Sequence, residues 1–83
     1  MQEELSIINR IYELYKLIVD INNGLEKRQR YSLGLSLENT ILDCLSELIM
    51  AKNAPKPLKA PYLLKAGSHV EIATLKLRLF LEL

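Results

Sequence analysis

Residues 61–83 read PYLLKAGSHVEIATLKLRLFLEL, and their pattern decides the fold. Pro61 suits the first turn of a helix, where its missing amide hydrogen is not needed. Beyond it only Gly67 weakens a helix, so the spacing predicts one helix over 61–83. On a wheel of about 100° per residue, Leu63, Ala66, Val70, Ala73, Leu77 and Leu81 make one apolar stripe. Ile72, Leu75, Leu79 and Leu83 make a second on roughly the opposite side. Lys65, His69 and Lys76 form a charged seam between them, and Glu71, Arg78 and Glu82 form another. A helix apolar on two sides must be covered on two sides. Gly67 reads as a place where another helix comes close.

Toward the N-terminus, Pro55, Pro57 and Pro61 make a stiff connection, since proline disfavours helical geometry in the residue before it. A second helix is expected over 33–53. Ser32 is its candidate N-cap and Ser36 the later alternative. Its apolar stripe is Leu37, Ile41, Cys44, Leu45, Leu48 and Ile49, with Asn39, Thr40, Asp43, Ser46 and Glu47 opposite. Leu25 to Tyr31 reads as a basic connection. Asn22-Asn23-Gly24 reads as a helix stop, because both residue types accept the left-handed conformation. The first helix is expected over 3–22, with apolar positions from Leu5 and Tyr12 round to Ile21 and Leu17. That arc exceeds half the circumference. The expected fold is all-α: a single domain, residues 1–83, built as an antiparallel up-down bundle with three helices of a four-helix-bundle-type fold.

Three antiparallel helices with short connections bury one face of each. The surplus points to assembly with other chains, since large exposed apolar patches mark interaction surfaces. The expected oligomer interface is Ile7, Ile11, Leu14 and Ile18 on the first helix, with Ile72, Leu75, Leu79 and Leu83 on the third. Composition agrees with a folded protein: 49% of the 83 residues are apolar and 25% charged. A domain of this size hides only about 60% of its unfolded surface, which limits what burial alone can stabilise. The lone cysteine excludes an internal disulfide and suits a reducing compartment. The acidic start MQEEL is unlike a signal peptide, and no apolar run approaches the roughly 18 residues of a membrane span. A cytoplasmic protein without a membrane partner is expected.

No catalytic constellation can be assembled. His69 is the single histidine and Cys44 the single cysteine, and Cys44 lies on an apolar stripe where it reads as an inert core thiol. One His and one Cys cannot complete a four-ligand zinc shell, and no Gly-rich phosphate loop occurs. Neither an enzyme nor a cofactor or metal protein is expected. Charge placement says more than the net charge of +1. Lys27, Arg28 and Arg30 cluster in the first connection, and Lys52, Lys56, Lys59 and Lys65 surround the second. In an up-down-up bundle these clusters lie at opposite ends. They are the candidate phosphate contacts, which assembly would multiply.

The run Lys27-Arg28-Gln29-Arg30-Tyr31-Ser32-Leu33-Gly34, followed by Leu45-Ser46-Glu47-Leu48-Ile49-Met50-Ala51-Lys52, resembles the four-helix-bundle accessory proteins of diversity-generating retroelements. Val70-Glu71-Ile72 and Leu75-Lys76-Leu77-Arg78-Leu79 in the third helix are similar as well. The resemblance covers nearly the whole chain, through short motifs. It implies a homopentamer of bundles that binds the element's reverse transcriptase and contacts template RNA or DNA through basic surface. Such a non-enzymatic subunit, bacterial or phage-encoded, supports mutagenic retrohoming. This chain departs from the family in carrying three helices instead of four, and in its low net charge. The alternative is a structural helical interaction protein of unknown partner, similar to the bundle proteins of ribosomal RNA intervening sequences.

Overall fold

The computed structural model describes the backbone of residues 2–82 and the side chains of residues 6–82. Helix α1 spans Gln2–Asn23. It closes on short bonds, Gly24 N to Ile21 O and Leu25 N to Asn22 O, both 3.1 Å. No described residue has positive φ. The stop after Asn22 therefore works by tightening the last turn and not by a left-handed cap.

The second helix begins earlier than its expected start at residue 33. A short α2 (Lys27–Gln29) runs into a π-helical turn, Arg30–Gly34, and then into α3 (Leu35–Asn53), as one continuous rod. The basic stretch is helix, because Lys, Arg and Gln are good helix formers and no Gly or Pro interrupts them before Gly34. Ser32 is consequently not an N-cap: its hydroxyl donates back to Arg28 O at 2.9 Å and Gln29 O at 3.2 Å. Extended Glu26 precedes the rod without a capping side-chain bond. At the far end Ala54 and Pro55 are extended, and a 3-10 turn, Lys56–Leu58, leads into α4 (Lys59–Glu82). Pro61 falls in the first turn of α4, where proline costs least.

The rod is the centre of an all-α bundle. Helices α1 and α4 each pack on α3 and scarcely on each other. Contacts between Asn22 and Gly34, Cys44 and Ala66, and Lys76 and Ser36 show that both run antiparallel to α3. The molecule measures 44 × 18 × 16 Å. Its core falls in two pieces along α3. Ile18, Leu37 and Ile41 form one, flanked by Ile11, Tyr15, Ala73 and Leu77. Cys44, Leu48 and Ala66 form the other, with Ile8 and Ile11 against it. Ile49, expected on the α3 stripe, is exposed; Thr40, expected on the wet face, is buried.

Candidate interaction surface

Two polar ties fix how the outer helices sit on α3. Asn22, 1% exposed, donates through Nδ2 to Gly34 O at 2.9 Å and to Glu38 Oε2 at 2.7 Å. A Cβ at Gly34 would stand 2.8 Å from Asn22 Oδ1, so this glycine makes the close approach in the fold. Gly67, expected in that part, has nothing within 4 Å of where its Cβ would stand. On the other side Lys76 Nζ donates to Ser36 Oγ and Thr40 Oγ1, both at 2.7 Å, and lies 3.4 Å from Ser36 O. The expected solvent seam of α4 is thus partly inward: His69 and Lys76 are half-buried against α3, and Lys65 alone is exposed. The stem of a lysine covers apolar surface while its ammonium reaches hydroxyls, which is why the wheel placed it outside.

Because α1 and α4 meet α3 far more than they meet each other, an apolar groove lies between them. Leu37, Ile41 and Cys44 floor it, α1 lines one wall with Leu14, and α4 lines the other with Val70 and Leu77. Its cavity is about 80 Å³. Of its lining residues Leu14 and Val70 are exposed. Elsewhere on the same helices Ile7, Leu17, Ile21, Leu63 and Leu81 are exposed.

The expected interface residues divide. Leu14 stands on the groove rim, and Ile7 is exposed two turns before it. Ile18 is buried in the chain's own core and Ile11 is half-buried beside it. Ile72, Leu75 and Leu79 are exposed on the flank of α4 turned away from the groove. Leu83 lies outside the described residues. The apolar surplus is therefore two surfaces, not one.

The basic residues also divide as their places in the chain require. Lys27, Arg28 and Arg30 lie at the end of the molecule where α1 finishes, and Lys52, Lys56 and Lys59 at the other. At about 1.5 Å per helical residue, Lys27 and Lys52 are roughly 37 Å apart along the rod. Lys65 lies in α4, about two turns beyond Lys59. Lys27, Arg28, Lys52, Lys56 and Lys65 are exposed. Arg30 is half-buried, its guanidinium 5.8 Å from the Tyr31 ring and its Nε covered without a partner. Lys59 is half-buried, with Nζ 3.5 Å from Lys52 O.

Cys44 is buried, its Sγ 3.6 Å from Ala66 O, and burial pushes its thiol pKa up. A protonated thiol under an apolar groove is a poor nucleophile. Among the described residues, no three His, Cys, Asp or Glu side chains gather to hold a metal. No described helix is long and apolar enough to cross a membrane. The fold and surface define an all-α bundle with an open apolar groove. Compared with known protein families, curated proteins and solved structures, the chain matches none.

Proposed function

We propose that the chain is a non-enzymatic assembly subunit, a homo-oligomeric helical scaffold whose groove and charged ends hold other macromolecules together. The observation that carries this is the groove itself: exposed Leu14 and Val70 line an apolar channel that none of the described residues covers. Such a patch on a folded chain serves contact with a partner. Within that reading, the sequence resemblance favours an accessory subunit of a diversity-generating retroelement, bringing reverse transcriptase and template RNA or DNA together. The exposed cations at the two ends suit phosphate contact, although about 37 Å apart they engage separate stretches of backbone.

The test is binding of the purified chain to a retroelement reverse transcriptase and to its template RNA across a salt series. The retroelement reading expects retention on the polymerase and an RNA affinity that falls with salt. Replacing Lys27 and Arg28 by alanine should then flatten the log-affinity against log-salt slope by about 0.7 units per lost contact. An oligomer that binds neither polymerase nor RNA would leave the assembly reading and remove the retroelement one, favouring a structural bundle with another partner.

A further inference from the structure

Between Asp20 and Glu38 the chain holds three cations, Lys27, Arg28 and Arg30, against one acid, Glu26. None of the three cations has an ion pair among the described residues. Lys27 and Arg28 precede Tyr31 by four and three residues on one helical rod, and side chains so spaced share a face. Both are exposed, and Tyr31 is 62% exposed. The Arg30 guanidinium lies 5.8 Å from the same ring, and its Nε is covered without a hydrogen-bond partner. An open aromatic ring therefore stands among positive charges that no described acid pairs.

The other tyrosines lack this setting. Tyr12 is exposed and has Lys16 Nζ 5.5 Å from its ring, but that ammonium lies 3.5 Å from the Glu13 carboxylate. Tyr15 and Tyr62 are half-buried. At the opposite end of the molecule Lys52, Lys56 and Lys65 are exposed, and the aromatic among them is the half-buried Tyr62. Cations alone hold the phosphates of any strand. An exposed ring adds something only where a base face is free. In a duplex the bases stack on one another and show a protein their edges and phosphates. In an unpaired strand the faces are open, and a base stacks on an aromatic side chain whatever its identity.

We propose that Tyr31 is a stacking platform for a base of single-stranded RNA or DNA, with Lys27 and Arg28 holding the phosphates beside it. This rests on the nucleic-acid reading above and narrows it to an unpaired strand at one end of the molecule. Arg30, set against the ring, keeps positive charge next to the stacked base.

The experiment is fluorescence anisotropy of the full chain at low salt, with short oligo(U), the matching duplex and inorganic polyphosphate as ligands. Oligo(U) should bind more tightly than the duplex. Tyr31→Ala should weaken oligo(U) binding about ten-fold and leave polyphosphate binding unchanged, because polyphosphate has charge and no bases. Tyr31→Phe should bind oligo(U) like the unsubstituted chain, and so should Tyr12→Ala. Circular dichroism should show the same helicity for all three variants, since both rings are exposed. Tyr31→Ala that binds oligo(U) undiminished, or that loses polyphosphate equally, would overturn the platform and leave phosphate contact standing. Polyglutamate bound with the same dependence on Tyr31 would also overturn it, in favour of an acidic peptide. An unsubstituted chain that binds neither oligo(U) nor template RNA would overturn the platform together with the nucleic-acid reading.

Discussion

Asn22 and Gly34 hold the joint between α1 and the central rod. The Asn22 amide, nearly sealed from water, is satisfied by a backbone carbonyl and a carboxylate, so its burial costs little. Gly34→Ala opposes two effects. Alanine favours the helix by about 1 kcal/mol, but its Cβ would lie 2.8 Å from Asn22 Oδ1 and displace a buried amide from its partners. Lost buried hydrogen bonds cost about 1–3 kcal/mol, so the net expectation is destabilisation by up to about 2 kcal/mol. Gly67→Ala, with open space around it, should stabilise by about 0.5–1 kcal/mol. Urea melts of the two variants check the contrast, and equal shifts of the same sign would refute it. Little of this was legible in the sequence. Asn22 read as part of a stop signal and Gly34 stood in no expected contact, because a wheel shows facing directions but not which two backbones touch.

Helix existence and type were legible from periodicity, whereas the start of the second helix was not. Lys27 to Tyr31 carries too few apolar residues to show a period, although its residues favour helix and nothing before Gly34 breaks it. The π-helical turn at Arg30–Gly34 adds a further shift, since a wider turn moves the positions after it around the helix. Ser32 separates the two readings experimentally. An N-cap serine loses about 1 kcal/mol on change to alanine. A serine inside the helix, bonding back to Arg28 and Gln29, loses nothing or gains a few tenths. Ser32→Ala is therefore expected to leave the melting midpoint unchanged or slightly raised, as followed by far-UV circular dichroism. The seam of α4 failed for a related reason. Its inward direction falls between the first apolar stripe and the charged row, so Lys76 reaches Ser36 and Thr40 while Ala66 packs on Cys44.

At the scale of the whole molecule, three helices make two main contacts, α1 on α3 and α3 on α4, and leave a groove on the third side. The surplus of apolar surface was visible in the sequence as arcs too wide for one buried face each. Its division was not, because that depends on which way each helix turns on α3. Ile18, expected at an interface, went to the core, while Val70 stayed on the rim and Leu63 is exposed. The open side is the feature from which assembly follows, and mass in solution reads it directly. Light scattering of the purified chain should give a particle of several 9.5 kDa chains, and a particle that stays at 9.5 kDa across the accessible concentrations would contradict it.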